Sequence, residues 1–293
     1  MTISVASGKG GTGKTTVAAS LASVIPQSVY IDCDVEEPNG HLILQPKFTS
    51  EESVNKLLPE IDYNKCDFCG KCIEVCEFNA LINLKFEILL FAEMCHSCGA
   101  CEYFCPQNAI TEIPKELGKL RSGIAANGIL FYDGLLNIGE ATAVPLIKKV
   151  KEKIDNKSVN IIDSPPGTSC SMVETVKDSD FCLLVTESTP FGLNDLKLAI
   201  DVVKNINVPF GVVINKYDET FKEMEQYLTE NQIEVMQRIP FDRKIAEAYS
   251  NGILPVNNSD KLRSEFIGLV DTIKKKIKSN GTQMTQKKQI FAD

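Results

Sequence analysis

A glycine-rich loop near the start of the chain carries residue types that bind phosphate. It has the P-loop spacing GxxxxGK[ST], and the residues predicted to bind nucleotide there are Gly8, Gly10, Gly11, Thr12, Gly13, Lys14, Thr15 and Thr16. Glycines let backbone N–H groups approach phosphate oxygens, and the helix that follows adds a favourable dipole. Lys14 is expected to reach the β- and γ-phosphates, and Thr15 to bind Mg²⁺. The loop therefore predicts a site for ATP and Mg²⁺.

Eight of the eleven cysteines form a second pattern, which is typical of iron–sulfur ligation. Two runs share the spacing CxxCxxCxxxC, one with Cys66, Cys69, Cys72 and Cys76 and one with Cys95, Cys98, Cys101 and Cys105. In bacterial ferredoxins with this spacing, the last cysteine of each run binds the other cluster. The spacing predicts two [4Fe–4S] clusters, one held by Cys66, Cys69, Cys72 and Cys105 and the other by Cys95, Cys98, Cys101 and Cys76.

Zinc is the alternative metal for such a segment. Zinc ribbons pair one CxxC with another and have no use for eight cysteines in this repeat, so iron–sulfur binding is favoured. Glu77 follows the first run whereas Pro106 follows the second, so the two cluster environments are expected to differ. His96 is interpreted as a bystander, because the cysteines already complete both ligand sets.

Three cysteines lie outside the two runs. Cys33, Cys170 and Cys182 are interpreted as small buried hydrophobic residues, the commonest state of an isolated cysteine. Exchangeable metal ligands remain the alternative for Cys33 and Cys170, which lie beside the candidate switch segments described below.

Strands and helices alternate around the P-loop. Apolar patterns predict strands over residues 2–7, 28–31, 159–162, 181–186 and 210–215, and helices over 15–24, 193–205 and 260–278. This alternation is typical of an α/β fold with a mostly parallel sheet. Two strands end in carboxylates, which are Asp34 and Asp163. Carboxylates at the ends of strands next to a P-loop suit a water-rich Mg²⁺ site.

The pattern changes between residues 61 and 112. Short units punctuated by cysteine replace the longer strands and helices, and both cysteine runs end in an Asn-Ala tail, as expected of a duplication. We predict a discontinuous P-loop ATPase domain over 1–60 and 113–278. A small ferredoxin-like α+β domain is inserted over 61–112, and a flexible tail is predicted over 279–293.

The P-loop also resembles the deviant Walker A motif of MinD/ParA-type ATPases, because a second lysine, Lys9, precedes Gly10. The segment Asp32-Cys33-Asp34 is similar to the first switch of that family, and the segment that begins at Asp163 is similar to the second. The resemblance covers roughly residues 1–45 and 115–275. The cysteine segment, by contrast, resembles an inserted two-cluster bacterial ferredoxin.

The family resemblance implies particular roles. Lys9 would reach the nucleotide of a partner subunit, which implies an ATP-dependent homodimer. Together with Lys14, it belongs to the predicted catalytic group, in which Asp34 would orient the attacking water. Asp163 would hold Mg²⁺ through water. The residues expected at the base are Asn215, which would read adenine, and Pro240 and Asp242, which would pack along it.

Composition limits the remaining possibilities. The 293 residues include 31 basic and 39 acidic ones, so the net charge of -8 gives no overall footprint for nucleic acid. No apolar run reaches the roughly 18–20 residues of a membrane-spanning helix, and a cytoplasmic location is expected.

Two functions follow from the two motifs. The first is an ATPase that couples nucleotide turnover to electron transfer to an unidentified redox partner. The alternative is an iron–sulfur or metallocofactor assembly ATPase that delivers clusters to an apo-metalloprotein. Assembly relatives commonly carry a C-terminal CxxC, and no cysteine follows Cys182 here, which weighs against the alternative. A partitioning or positioning protein that works on membranes or DNA draws support only from the family resemblance.

Overall fold

The computed structural model describes residues 1–290, except for the side chains at positions 244, 246, 249, 250 and 280–290. The strands are β1 (Thr2–Ala6), β2 (Val29–Asp32), β3 (Lys47–Ile61), β4 (Leu81–Asn83), β5 (Ile88–Leu90), β6 (Ile110–Ile124), β7 (Leu130–Leu136), β8 (Asn160–Asp163), β9 (Phe181–Glu187), β10 (Phe210–Tyr217) and β11 (Val235–Pro240). The α-helices are α1 (Lys14–Val24), α2 (Gly40–Leu44), α3 (Lys71–Glu74), α4 (Ala100–Tyr103), α5 (Val144–Lys151), α6 (Cys170–Val176), α7 (Pro190–Asn205), α8 (Lys222–Glu230), α9 (Arg243–Ser250) and α10 (Asp260–Ile290).

Within the described residues, nine strands form one sheet in the order β11-β10-β9-β1-β8-β2-β7-β6-β3. Neighbours from β11 to β7 run parallel, whereas β6 is antiparallel to both β7 and β3. The predicted α/β class with a mostly parallel sheet is confirmed. The parallel arrangement brings the carboxyl ends of β1, β2, β8 and β9 to one edge, where ligands bind in such sheets.

Helices cover both faces of the sheet because its central strands are apolar on both sides. Val17 of α1 and Phe266 of α10 pack on one face with Ile3. On the opposite face, α5 packs through Ile147, whereas α6 and α7 contribute to a second cluster that includes Ala6. The P-loop between β1 and α1 is thus anchored at both ends by buried elements.

A long antiparallel ribbon of β3 and β6 leads to the cysteine-rich segment. Pairing runs from Lys47 opposite Ile124 to Ile61 opposite Ile110. Only residues 118–124 of β6 also pair with β7, so the rest of the ribbon is a two-stranded arm. Residues 62–109 lie between its ends. The predicted domain boundaries at 61 and 112 fall at the tip of this arm, and the division into domains stays a prediction.

Helix α10 is longer than the sequence indicated. The sequence predicts a helix over residues 260–278, and the structure continues it to Ile290. The last three residues of the predicted flexible tail, 291–293, lie outside the described residues, and flexibility of the tail stays a prediction. Among the described helices, none combines the length and apolar character needed to cross a membrane.

Candidate functional site

The P-loop approaches its neighbours so closely that glycine is required at two positions. A Cβ on Gly8 would lie 2.1 Å from the carbonyl oxygen of Asp195, and one on Gly13 would lie 2.2 Å from Asn215 Nδ2. Gly13 also has φ of 88°, in the left-handed region that favours glycine. These contacts fix the loop against α7 and β10 and leave its backbone N–H groups at the start of α1.

A cavity of about 460 Å³ opens above this loop. Its size is in the range of small-ligand pockets. The predicted nucleotide-binding residues line it with the exception of Gly8: they are Gly10, Gly11, Thr12, Gly13, Lys14, Thr15, Thr16, Asn215, Pro240 and Asp242, joined by Lys9 and Asp34. The buried Oγ1 of Thr12 has no hydrogen-bond partner among the described residues, so an acceptor from a ligand would satisfy it.

The ammonium of Lys14 lies close to the carboxylates of both predicted switches, Asp34 and Asp163. Its Nζ lies 2.7 Å from Asp163 Oδ1 and 3.8 Å from Asp34 Oδ2. The hydroxyl of Tyr30 donates to the other oxygen of Asp163 at 3.0 Å. Burial alone would lower the pKa of Lys14, but Asp163 and Asp34 outweigh it and the pKa is raised, so Lys14 stays charged.

The predicted first switch is held by a buried carboxylate that ends β2. Asp32 is fully buried and accepts hydrogen bonds from the backbone N–H groups of Asp34 at 3.1 Å and Gly40 at 2.9 Å. Burial and the nearby Asp163 raise its pKa well above the ordinary range. Asp32 thus shapes the turn that carries Asp34, whose own side chain reaches the cavity.

Replacing Asp34 is expected to stabilise the fold by an amount that depends on pH. Burial raises its pKa to about 6, although Lys14 opposes the shift. An unfolded chain has a value near 3.9, so ionised Asp34 destabilises the nucleotide-free fold above pH 6. The penalty fades as the pH falls towards 4. We expect Asp34→Asn to raise the free energy of unfolding by about 1–3 kcal/mol at pH 7.5 and by about half as much at pH 5.

Urea denaturation at the two pH values measures this difference. Glu37→Gln is the matched control, because Glu37 lines the same cavity but is exposed. A destabilised Asp34→Asn protein at pH 7.5, or the same gain at both pH values, would contradict a pKa of Asp34 that burial raises to about 6.

Lys9 forms an ion pair within its own chain, which sequence analysis did not foresee. Its Nζ lies 2.5 Å from Glu187 Oε1, and Lys216 Nζ lies 3.0 Å from Glu187 Oε2. Burial raises the pKa of Glu187, but the hydrogen bonds from the two lysines outweigh it and the pKa is lowered. Lys216 also donates to the carbonyl oxygen of Gly11 at 3.1 Å, so Glu187 organises the outer side of the P-loop.

The sequence contains a signal that could have predicted the position of Glu187. It ends β9, which pairs with β1 in a register that places Ala6 opposite Leu184. A carboxylate at the end of a strand adjacent to the P-loop strand is the feature that identified Asp163. The same rule, applied to the strand on the other side of β1, predicts Glu187 beside Lys9.

The residues predicted at the adenine base line the cavity. Asn215 Nδ2 donates to the carbonyl oxygen of Thr12 at 2.8 Å, so this amide supports the P-loop. Pro240 and Asp242 line the same cavity. Contacts of all three residues with a base stay predictions.

The eight clustered cysteines surround two separate cavities. The first cysteine site has Cys66, Cys69, Cys72 and Cys105 in its lining. The second cysteine site has Cys76, Cys95, Cys98 and Cys101 in its lining. The structure therefore brings together the two crossed sets that the spacing predicts, each with the last cysteine of the other run.

The two runs have matching backbones. Gly70 and Gly99 adopt φ of 76° and 71° before the short helices α3 and α4. The remote cysteines also match: the N–H of Ala80 lies 3.4 Å from Cys76 Sγ, and the N–H of Ala109 lies 3.3 Å from Cys105 Sγ. Hydrogen bonds to sulfur are among the factors that tune iron–sulfur clusters, so this arrangement suits cluster ligation.

No three His, Cys, Asp or Glu side chains among the described residues lie close enough to hold one metal ion. A cubane cluster makes a different demand, because each of its four cysteines binds a different iron and the thiolates surround a space. The four thiols that line each cysteine site match the ligand count of such a cluster. His96 stacks on Phe78 with ring centroids 3.7 Å apart, consistent with a packing role.

The three remaining cysteines differ in exposure. Cys33 and Cys182 are buried, as predicted. The prediction is wrong for Cys170, which is exposed at the start of α6. This start of a helix follows the second switch at the surface, and the apolar contacts of α6 come from later residues such as Met172.

The fold and the loop together define a P-loop protein of the nucleotide-binding α/β class. Residues 3–256 match the family model described as the CobQ/CobB/MinD/ParA nucleotide binding domain. The chain belongs to this family. The match spans the cysteine-rich segment as well as the sheet.

Two uncharacterized proteins of Methanocaldococcus jannaschii are similar along most of their length. MJ0578 is 32% identical over 286 residues, which cover 94% of this chain and 96% of the relative. MJ0579 is 31% identical over 259 residues, covering 86% and 90%. A third protein of that organism, an iron–sulfur cluster carrier protein, is 29% identical over 133 residues, or 40% of this chain and 46% of the carrier.

Solved structures share the fold. The cell division ATPase MinD of Pyrococcus furiosus has a TM-score of 0.53 and 21% identity, over 94% of this chain and 98% of that one. MinD of Pyrococcus horikoshii, solved with Mg-ADP, has a TM-score of 0.53 and 20% identity, over 93% and 96%. At these identities the likeness establishes the fold alone.

Proposed function

We propose that this protein is an ATP-hydrolysing iron–sulfur protein that couples nucleotide turnover to electron transfer through two [4Fe–4S] clusters. The observation that carries the proposal is the presence, in one chain, of a P-loop cavity and two cavities with four cysteines each. The β3–β6 arm joins them. When bound, each cluster would accept and release one electron, and a redox partner would exchange that electron with it.

Anaerobic reconstitution tests the cofactor content. We expect about eight irons and eight sulfides per chain, as two cubane clusters require. Zinc in place of iron, or four irons per chain, would contradict two [4Fe–4S] clusters.

The P-loop residues have distinct roles in this proposal. The loop glycines and Lys14 bind the phosphates, and Thr15 and Asp163 hold Mg²⁺, with Asp163 acting through water. Lys14 must exchange its contact with Asp163 for one with phosphate, which frees that carboxylate for the metal shell. Asp34, close to Lys14 and ionised above its raised pKa of about 6, orients the attacking water.

An ATP-dependent homodimer is part of the proposal. Lys9 lies too early in the loop for the phosphate contact that Lys14 makes, and its ammonium is held by Glu187 in the single chain. Reaching a partner's nucleotide requires Lys9 to leave Glu187. Because Lys216 contacts the other oxygen of Glu187, that carboxylate keeps a cation when Lys9 departs.

An assembly or carrier ATPase is the second candidate. It is favoured by the partial similarity to an iron–sulfur cluster carrier protein and by the exposed Cys170 beside the second switch. A carrier gives up its cluster to an apo-protein when nucleotide turns over, whereas an electron-transfer protein keeps both clusters. Retention of iron after ATP hydrolysis in the presence of an apo-ferredoxin therefore separates the two candidates.

A further inference from the structure

A buried ion pair connects the β3–β6 arm with the loop between β7 and α5. The ammonium of Lys56, on β3, contacts Glu140 Oε2, and the two side chains are only 1% and 5% exposed. Removing two charges from water is costly, and apolar residues of similar volume often stabilise a fold equally well. The pair is therefore poorly explained by stability alone.

Lys56 also reaches the second cysteine site. Its Nζ donates to the carbonyl oxygen of Ala92 at 2.7 Å, and the backbone N–H of Cys95 donates to the same oxygen at 3.3 Å. The turn that leads into Cys95 is held a second time, because the N–H of Ala141 donates to the carbonyl oxygen of Glu93 at 3.3 Å. Two residues in succession thus hold this turn: Glu140 through Lys56, and Ala141 through its backbone N–H.

The loop that carries Glu140 faces both predicted switches across a cavity. It forms one wall of a cavity of about 750 Å³ whose other walls include Asp34 and Pro166. At the start of the loop, the N–H of Leu136 donates to the carbonyl oxygen of Val35, directly after Asp34, at 2.8 Å. Switch segments in P-loop proteins rearrange when the γ-phosphate is present. A rearrangement at Asp34 would therefore reach the end of β7, four residues before Glu140.

We propose that the Lys56–Glu140 pair transmits the nucleotide state to the second cysteine site, with Lys56 as a positioning residue for the loop at Cys95. This inference rests on the proposed function. Movement of Glu140 shifts the Lys56 ammonium relative to the Cys95 backbone. A nearby positive charge stabilises an added electron, and charge and hydrogen bonding set cluster potentials. The second cluster should therefore respond to nucleotide more than the first.

The test variant is Lys56→Met/Glu140→Met. It removes both charges together, because Lys56→Met alone would leave Glu140 buried without its partner. Lys115→Gln is the matched control: Lys115 lies on the same arm, and its Nζ lies 3.7 Å from Glu93 of the same turn, but this pair is exposed and does not involve Glu140. The iron content of each variant is measured first, to check that both clusters are retained.

Two readouts are compared without nucleotide, with ADP and with a non-hydrolysable ATP analogue. The first is the potential of the second cluster, assigned as the signal lost in Cys98→Ala. The second is hydrogen exchange of residues 92–95. In wild type and Lys115→Gln, both readouts should change with nucleotide, and in the double variant neither should, although nucleotide still binds.

A double variant that keeps both clusters and shows the wild-type response would overturn the role of the pair while leaving the proposed function intact. A wild-type protein with two clusters but no response in either readout would overturn the inference together with the proposed coupling.

Discussion

Replacing Cys76 by Ala is expected to remove one whole cluster, leaving about four irons per chain instead of eight. Cys76 lines the second cysteine site with Cys95, Cys98 and Cys101, although its neighbours in sequence belong to the first site. The cluster that is lost should therefore be the one held by the distant run. Alanine is chosen because a serine oxygen can still bind iron.

Pairs of substitutions identify the lost cluster without any assignment of spectra. Cys69 and Cys98 occupy equivalent positions in the two runs, and both are exposed. If ligation is crossed, Cys76→Ala with Cys98→Ala removes two ligands of one cluster and still leaves about four irons, whereas Cys76→Ala with Cys69→Ala leaves none.

The reverse pattern would show that each run binds its own cluster. Cys170→Ala is the control for nonspecific damage, because Cys170 is also exposed but lines neither cysteine site. It should retain all eight irons.

Lys14→Gln and Lys9→Ala are expected to separate nucleotide binding from dimerisation. Lys14→Gln should weaken ATP binding by about 10- to 100-fold, the loss expected for a hydrogen bond to a charged group. Glutamine keeps a donor for the buried Asp163, which limits damage to the fold. Lys9→Ala should keep ATP affinity but weaken ATP-dependent association by a similar factor, because Lys9 is expected to contact the partner's nucleotide.

Titration calorimetry gives the affinity for ATP, and light scattering with MgATP gives the oligomeric state. Lys204→Ala is the control for the loss of a lysine, because Lys204 is exposed in the last turn of α7 and does not line the cavity above the P-loop. This variant should dimerise normally. Equal ATP-dependent association of Lys9→Ala and wild type would contradict the role of Lys9 across the interface.

The parallel part of the fold follows from strong local signals. Strands such as β1 and β8 are short, fully buried and rich in apolar residues, so the sequence predicts where they lie along the chain. The spacing of the P-loop is fixed because its glycines must let backbone N–H groups approach phosphate oxygens. The cysteine spacing likewise reports which thiols can share a cavity, because three close ligands leave the fourth to a distant one.

The β3–β6 arm could not be anticipated in the same way. Strand β3 spans 15 residues, but its first seven are exposed and rich in Glu, Ser and Thr, so it lacks the apolar pattern of a buried strand. It is an edge strand, where charged side chains are common because they discourage pairing with other chains. The partnership of Lys56 with Glu140 depends on this arm, and 84 residues separate the two in sequence.

A potentiometric titration of the reconstituted protein, followed by EPR, tests the central claim most directly. It is run without nucleotide, with ADP and with a non-hydrolysable ATP analogue. If nucleotide and electron transfer are coupled, the analogue binds the oxidised and reduced forms unequally, and at least one potential must differ between these states. A shift of about 59 mV corresponds to a tenfold ratio of affinities. Identical potentials in all three states, together with ATP-dependent transfer of a cluster to an apo-protein, would contradict coupled electron transfer and favour the carrier function.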